Sequence, residues 1–153
     1  FGLAYYKAQE AAGQRLPVKG AVLVTVNEKD KKKNILEVVK RLKGLGFKVL
    51  ATAGTKEYLE KNGLEVEFIN KMQEGRPNIV DAIHNKEINL IINTPIGKTA
   101  AYDDSYIRKA AIKYKIPYLT TIAASLAASE GIKAYLENKG TVKSLQEYHA
   151  GIT

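Results

Sequence analysis

The chain has 153 residues, of which 45% are hydrophobic and 26% charged, as is typical of one globular domain with its own core rather than of a disordered segment. It contains no cysteine, which excludes disulfides and thiolate catalysis and agrees with a cytoplasmic location, and no apolar run approaches the ~20 residues that span a bilayer. The net charge of +8 favours anionic partners such as phosphates, nucleotides or nucleic acid, although lysine-rich surfaces also serve solubility alone.

Apolar segments with helix-like and strand-like spacing alternate along the chain. Residues 1–12 have the spacing of a helix, and we expect residues 1–19 to be the end of a preceding domain with its linker and residues 20–153 to be the main domain. Five strands are predicted in the main domain, at residues 21–26, 47–51, 65–69, 88–93 and 117–120. The first and fourth contain continuous apolar runs, which indicate central strands that are covered on both faces.

Helices are predicted between these strands and after the last one. The first two cover residues 35–42 and 56–62, the third runs from Pro77 to about residue 85, and the fourth is capped by Asp103 or Asp104 and runs through Tyr114. The last is capped by Thr120 or Thr121 and is expected to end near residue 138, because Gly140 and Thr141 break it. This order of elements predicts an α/β, three-layer, flavodoxin-like or Rossmann-like fold with a five-stranded, mainly parallel sheet.

Polar side chains follow nearly every predicted strand. In open α/β sheets, ligands bind beyond the carboxyl ends of the strands, near the point where the strand order reverses. Hydroxyl, amide and ammonium groups predominate at these ends and carboxylates are few, so the sequence predicts an anion-binding rim. Its members are Asn27 and Lys31–Lys33 after the first strand, Thr52 and Thr55 after the second, Asn70 and Lys71 after the third, Asn93 and Thr94 after the fourth, and Thr120 and Thr121 after the fifth.

Two segments of this rim are the most informative. Lys31, Lys32 and Lys33 occupy a first helical turn, where acidic residues are normally favoured, so either an anion compensates them or they are a solvated lysine run. The turn Ala51-Thr52-Ala53-Gly54-Thr55 has small residues that let backbone N–H groups approach a phosphate, and the alternative is a tight turn capped by Thr55. It matches neither a Walker loop nor a G-x-G-x-x-G fingerprint, which argues against nucleoside triphosphate hydrolysis and dinucleotide binding.

Signals for catalysis are weak. The two histidines, His84 and His149, are expected at the surface, and Asp103-Asp104 is more typical of a helix cap than of an active site. We find no nucleophile elbow, catalytic triad or metal-ligand spacing.

Several blocks resemble the C-terminal, methylglyoxal-synthase-like domain of carbamoyl-phosphate synthetase large subunits. The first block, Phe1-Gly2-Leu3-Ala4-Tyr5-Tyr6-Lys7-Ala8-Gln9, is similar to the segment that closes the second synthetase half in that family, and Leu16-Pro17 resembles the entry to the last domain. The other blocks are Ala51-Thr52-Ala53-Gly54-Thr55, Asn70-Lys71, Glu74-Gly75-Arg76-Pro77-Asn78-Ile79-Val80-Asp81, Leu90-Ile91-Ile92-Asn93-Thr94 and Val142-Lys143-Ser144-Leu145-Gln146-Glu147-Tyr148-His149.

The resemblance implies an allosteric domain without a cofactor or chemistry of its own. It implies that the domain binds nucleotide effectors such as UMP and IMP, with ornithine at the boundary with the synthetase half. The implied parent enzyme is a glutamine-hydrolysing ligase of arginine and pyrimidine biosynthesis. That enzyme uses ATP and Mg and works with a glutaminase small subunit. Self-association is left open. The implied phosphate pocket consists of Lys31, Thr52, Ala53, Gly54, Thr55, Lys71, Asn93 and Thr94, and Thr120 is the implied contact to ornithine. Pro95 occupies a position that can be threonine in relatives, which puts the sugar or base end of the pocket in question.

Three alternatives remain. A methylglyoxal synthase, the lyase of the same fold, resembles this chain but uses an aspartate in a Gly-Gly-Asp motif, where this sequence has Glu74-Gly75-Arg76, and a histidine near the position of Tyr102. Arginine stays protonated and cannot act as a base. The cyclohydrolase domain of purine synthesis shares the fold but has different motifs. Nucleic-acid binding is suggested only by the charge, since aromatic residues make up just 8% and no recognition helix is evident.

Overall fold

The computed structural model describes residues 2–12, 16–27, 34–71, 74–94 and 105–152, the stretch 139–152 by its backbone alone. Five parallel strands form one sheet in the order β3-β2-β1-β4-β5. Their bounds are β1 Ala21–Val26, β2 Lys48–Ala51, β3 Glu67–Phe68, β4 Leu90–Thr94 and β5 Tyr118–Leu119. The predicted fold class is confirmed.

The strands shorten from the centre of the sheet to its edges. β1 has the predicted bounds and is buried along its whole length, as is β4. β3 and β5 have only two residues each, although five and four were predicted. A central strand pairs on both sides, whereas an edge strand pairs on one side only, and its ends leave the sheet more easily.

Six helices cover the two faces within the described residues. They are α1 Gly2–Ala11, α2 Ile35–Gly44, α3 Ala53–Lys61, α4 Ile79–His84, α5 Ser105–Lys113 and α6 Ile122–Ile152. Helices α1, α2, α3 and α6 share a core with one face of the sheet, through residues such as Val38, Leu59 and Ile132. Helices α4 and α5 pack on the other face through Ile79, Ile83 and Ile107. The result is a three-layer arrangement with the core split by the sheet.

Two helix starts differ from those predicted. Helix α3 begins at Ala53, directly after Thr52, and not at residue 56. Pro77 precedes α4 and is not its first residue, because Asn78 is the N-cap. The side chain of Asn78 accepts hydrogen bonds from the amides of Val80 and Asp81. In return, the carboxylate of Asp81 accepts a hydrogen bond from the amide of Asn78. This reciprocal capping box defines the start of α4 more strongly than the preset φ of proline does. The expected caps Asp103 and Asp104 lie outside the described residues.

The last helix continues to Ile152, so the predicted break at Gly140 and Thr141 is wrong. Glycine and threonine each cost at most about 1 kcal/mol relative to alanine inside a helix. The flanking residues include good helix formers such as Leu145, Gln146 and Glu147. A local penalty of this size does not outweigh the hydrogen bonds of a helix that is already nucleated.

Helix α1 packs closely on helix α6. Tyr6 is 1% exposed and its ring stacks on that of Tyr135 with 4.3 Å between centroids, while its hydroxyl donates to the carbonyl of Leu16. Gly131 makes the close approach possible, since a Cβ there would lie 3.1 Å from the carbonyl oxygen of Gly2. Helix α1 therefore shares the hydrophobic core of the sheet, and the domain boundary expected at residue 19 stays a prediction.

We expect Gly20→Ala to destabilise the protein strongly. Gly20 has a φ of 115°, and a Cβ would lie 2.0 Å from Oδ1 of Asn89, which accepts a hydrogen bond from the amide of Ala21. The matched control is Gly63→Ala, which has a φ of 83° but nothing within 4 Å of the added Cβ. The control should cost only the strain of the left-handed backbone, about 1–3 kcal/mol, and Gly20→Ala clearly more in urea unfolding. Equal losses would contradict the clash.

Candidate functional site

The strand order reverses between β1 and β4. The chain leaves β1 towards β2 on one side and leaves β4 towards β5 on the other, and the two strands pair in parallel up to Val26 and Thr94. A crevice outside such a reversal is the usual ligand site of an open α/β sheet. Since every strand is parallel, the predicted rim residues that are described lie at this one edge: Asn27, Thr52, Thr55, Asn70, Lys71, Asn93, Thr94, Thr120 and Thr121.

Helix α3 begins at this edge with an uncapped amino terminus. Thr52 is the N-cap residue, but its side chain makes no capping bond, and the first intrahelical bond runs from the amide of Lys56 to the carbonyl of Thr52. Within the described part of the chain, the amides of Ala53, Gly54 and Thr55 therefore lack an acceptor. Ala53 and Gly54 are exposed, and the first turn contains no acidic residue. Such a terminus attracts an anion through its free N–H groups and its partial positive charge.

The hydroxyls of Thr52 and Thr55 fasten α3 to β1. Thr52 donates to the hydroxyl of Thr25 over 3.0 Å, and Thr55 accepts from the amide of Val26 over 3.1 Å. The two threonines are 3% and 2% exposed. Thr55 is the third residue of the helix, so the alternative interpretation of Thr55 as the cap of a tight turn is wrong. Removing its hydroxyl would leave a buried amide unpaired, which typically costs about 1–3 kcal/mol.

A second set of hydrogen bonds fixes the end of β4. The amide of Asn27 donates to the hydroxyl of Thr94 over 3.0 Å, and the side-chain amide of Asn27 donates to the carbonyl of Thr94 over 2.8 Å. Asn93 is buried, and its side-chain amide donates to the hydroxyl of Tyr118 on β5 over 2.8 Å. These bonds connect the ends of β1, β4 and β5 into one rigid edge.

Two residues of this edge, Thr25 and Tyr118, were not predicted from the sequence. Thr25 is the one polar residue in the apolar run of β1, which is a signal that could have been used. Tyr118 carried no such signal, because only the pairing of β4 with β5 brings its hydroxyl to Asn93.

The loop after β3 contributes Asn70 and Lys71. Asn70 donates to the carbonyl of Pro77, and the backbone amide of Lys71 donates to the carboxylate of Glu74 over 2.7 Å. A carboxylate thus lies nearer to the rim than the sequence predicts. The Lys71 side chain is half-buried, and among the described residues its ammonium group has no ion-pair partner. Lys31–Lys33, Pro95 and Tyr102 lie outside the described residues.

At the end of β5, the structure distinguishes the two threonines. Thr121 caps α6, since its hydroxyl accepts from the amide of Ala124 over 3.0 Å. Thr120 is exposed at the rim. His84 is exposed, as expected, and lies 2.6 Å from the hydroxyl of Tyr114.

Arg76 is paired with Asp81 in front of α4. The guanidinium donates to both carboxylate oxygens, over 2.6 and 3.2 Å, and the amide of Asn78 donates to one of them. The hydrogen bond from Arg76, followed by that from Asn78, lowers the pKa of Asp81. The same hydrogen bond raises the pKa of Arg76. Neither side chain is suited to abstract a proton from carbon.

A cavity of about 680 Å³ lies on the sheet face of β2 and β3 beside α4 and meets the rim at Asn70. Its lining includes Leu50, Phe68 and Ala82 together with the ion pair of Lys48 and Glu67. It contains none of the predicted phosphate residues. Among the described residues, no helix is long and apolar enough to cross a membrane.

Comparison with known families agrees with this architecture. The family model of the MGS-like domain matches residues 34–120, which is more than half of the chain. The chain belongs to the MGS-like domain family.

The relatives of this MGS-like domain include large chains of carbamoyl phosphate synthase. It is 48% identical over 149 residues to the large chain of Archaeoglobus fulgidus, a match that covers 97% of this chain and 14% of that one. It is 49% identical over 152 residues to the C-terminal section of the large chain of Methanopyrus kandleri, covering 99% of this chain and 28% of that one. The MGS-like domain thus spans about one seventh to one quarter of these relatives.

Among solved structures, the MGS-like domain resembles a methylglyoxal synthase from Elizabethkingia anophelis. The TM-score is 0.57 at 18% identity, with 72% of this chain and 76% of that chain covered. At this identity the likeness concerns the fold alone, which agrees with the five-stranded parallel sheet described above.

Proposed function

We propose that this MGS-like domain is the allosteric domain of a carbamoyl phosphate synthase large chain and binds a nucleotide effector by its phosphate at the carboxyl edge of the sheet. The observation that carries the proposal is the uncapped amino terminus of α3 beside the reversal of strand order. Its free amides, its exposed small residues and its lack of acidic side chains fit a phosphate group and would be unfavourable for a cation.

Each predicted site residue has a role in this proposal. The amides of Ala53, Gly54 and Thr55 hold the phosphate oxygens, and Lys71 and Lys31 supply positive charge. Thr52, Thr55, Asn93 and Thr94 form the floor of the pocket. The buried hydrogen bonds of Thr52 and Thr55 keep the free amides in position, and the partly buried ones of Asn93 and Thr94 fix the strand ends beside them. Thr120 remains the proposed contact for ornithine on the side of the synthetase half.

Regulation follows from a difference in affinity. A nucleotide such as UMP or IMP changes the rate of carbamoyl phosphate synthesis only if it binds the domain differently in the active and inactive arrangements of the large chain. Such couplings are typically about 1–3 kcal/mol. Deleting residues 20–153 from the large chain should therefore alter the nucleotide response far more than basal turnover.

The pairing of Arg76 with Asp81 argues against the alternative that the chain is a methylglyoxal-forming lyase. An active lyase needs a carboxylate that is free to act as a base, and here the nearby carboxylate is held by a guanidinium and a backbone amide. Formation of methylglyoxal from dihydroxyacetone phosphate, abolished by Arg76→Ala, would contradict our proposal.

We expect Lys71→Ala to weaken the binding of UMP, IMP and inorganic phosphate about ten- to a hundredfold, because a charge-assisted hydrogen bond is worth roughly 1.5–3 kcal/mol. Isothermal titration calorimetry measures the affinity. The matched control is Lys61→Ala, which removes the same charge from the far end of α3, where Lys61 pairs with Glu57 at the surface. Equal weakening in both variants would indicate diffuse attraction by the net charge rather than a pocket.

A further inference from the structure

Three asparagines line the cavity on the sheet face of β2 and β3. They are Asn70 after β3, Asn78 at the start of α4 and Asn89 before β4. Each side-chain amide uses one of its two polar groups in a hydrogen bond to the backbone. That bond fixes which way round the amide lies, because a backbone carbonyl can only accept and a backbone N–H can only donate.

These backbone bonds leave one acceptor and two donors over. The Nδ2 group of Asn70 donates to the carbonyl of Pro77 over 3.1 Å, so its Oδ1 atom remains. The Oδ1 atom of Asn78 accepts from two backbone amides of α4, and that of Asn89 accepts from the amide of Ala21, so both Nδ2 groups remain. The part of the chain that the structure describes offers these three groups no partner, and none of them is fully buried.

Asn70 and Asn78 lie side by side. The two residues form a parallel β-bridge, in which the amide of Ile79 donates to the carbonyl of Asn70 over 2.9 Å. Backbones paired in this way are about 5 Å apart. Asn78 is 6% exposed, so its Nδ2 group has lost most of its contact with water and gains from a ligand that accepts its hydrogen bond. The cavity thus offers an acceptor next to a donor at the end that meets the rim.

The rest of the cavity fits an uncharged, planar body. Its floor includes the apolar side chains of Leu50 and Ile69. Its charged groups are Lys48 and Glu67, which pair over 3.0 Å, and Glu87, which forms no ion pair among the described residues. One lysine and two glutamates leave a net negative charge, which disfavours a phosphate here, in contrast to the rim. A volume of about 680 Å³ is usual for a small-molecule site.

We propose that this cavity is a second ligand site and that it takes an uncharged nucleobase or nucleoside. The edge of a nucleobase carries an N–H donor beside an oxygen or nitrogen acceptor, which is the complement of the free pair at Asn70 and Asn78. Two such hydrogen bonds hold the ring in its plane, while the apolar floor packs against its face. The site is separate from the phosphate position at α3, and the inference does not depend on the proposed function.

Uridine, which has no phosphate, tests this site in an NMR titration of the isotope-labelled chain. We expect the side-chain amide signals of Asn70 and Asn78 to shift and to saturate. Uridine methylated at the ring N–H cannot donate to Oδ1 of Asn70, so its affinity should be at least about threefold lower, as expected for the loss of one neutral hydrogen bond. Inorganic phosphate should not displace uridine.

Asn78→Asp removes the free donor and keeps the helix cap, because aspartate caps a helix about as well as asparagine does. We expect uridine to bind this variant about tenfold or more weakly, since an acceptor of the ligand then faces a carboxylate. The matched control is Asn62→Asp, which makes the same change outside the cavity, at the end of α3, where Asn62 donates to the carbonyl of Tyr58. The control should leave uridine binding unchanged.

The outcomes are distinct. The absence of a saturable shift would overturn the proposal, as would equal affinities of the wild type and Asn78→Asp. Shifts of the same signals on raising the protein concentration alone would assign the cavity to a second copy of the chain and overturn it too. Ala53→Glu places a carboxylate at the proposed phosphate position, so uridine should bind this variant as it binds the wild type. Loss of uridine binding there would contradict a separate site, whereas loss of phosphate binding alone would leave it intact.

Discussion

Ala53→Glu is expected to stabilise the folded protein and at the same time abolish the binding of phosphate-bearing ligands. Ala53 is the first residue of α3, it is exposed, and the first turn of the helix contains no acid. A carboxylate at this position interacts favourably with the partial positive charge of the terminus, which is worth about 0.3–1 kcal/mol or roughly 1–3 °C in melting temperature. The same carboxylate occupies the proposed phosphate position and repels the ligand, so we expect an affinity loss of about a hundredfold or more.

Ala53→Glu is informative because it should raise the thermal stability and lower the affinity for phosphate-bearing ligands. Thermal unfolding gives the stability, and calorimetric titration with UMP, IMP and inorganic phosphate gives the affinity. The control Ala53→Gln has nearly the same size without the charge, and it should change both quantities little. If Ala53→Glu kept its phosphate affinity, the anion would bind elsewhere and our site would be wrong, even though the family membership would stand. If Ala53→Gln lost as much affinity, the cause would be steric rather than electrostatic.

In the intact large chain, the same substitution should remove the response to nucleotide and spare basal synthesis. The floor of the pocket and the core are untouched, so the active arrangement remains accessible. This variant is preferable to removal of the Thr52 and Thr55 hydroxyls, because those hydroxyls also hold α3 to β1 and their loss would combine a binding effect with a loss of stability.

Tyr6→Ala is expected to lower the free energy of unfolding by about 3–5 kcal/mol, which is the usual cost of truncating a large buried aromatic residue. Tyr6 is 1% exposed, stacks on Tyr135 and lies in the core that α1 shares with α6. Urea unfolding of the chain measures the change. Tyr6→Phe retains the ring and loses only a long hydrogen bond to Leu16, so it should cost about 1 kcal/mol or less.

The result also bears on the domain boundary. A large loss in Tyr6→Ala would mean that α1 stabilises the domain that follows it, although the sequence assigns residues 1–19 to the preceding one. A loss below about 1 kcal/mol would mean that α1 rests on α6 without contributing to its stability, as expected of a segment that belongs to another domain.

The residues of the central strands and of the rim could be predicted because their signals are local. The apolar runs of β1 and β4 identify strands buried on both faces, and parallel strands bring whatever follows them to one edge. The same two rules place Thr52, Lys71, Asn93 and Thr94 together, and these residues do follow neighbouring parallel strands in the folded chain. The binding of a ligand by these residues remains a proposal.

Local signals in the sequence were sufficient for the α/β class, the parallel sheet and the polar character of its carboxyl edge, since apolar periodicity and turn chemistry act over a few residues. Which polar groups are free depends instead on the packing of the whole domain. The hydroxyls of Thr52 and Thr55 are used by β1, whereas the amides at the start of α3 are not. Packing likewise brings Asn93 to Tyr118 and Arg76 to Asp81, and α6 continues through Gly140. The hydrogen-bond pairings depend on partners that are distant in sequence, so the residue types alone do not determine them. The continuation of α6 depends on a small difference between the local cost of Gly140 and the stability of the long helix around it.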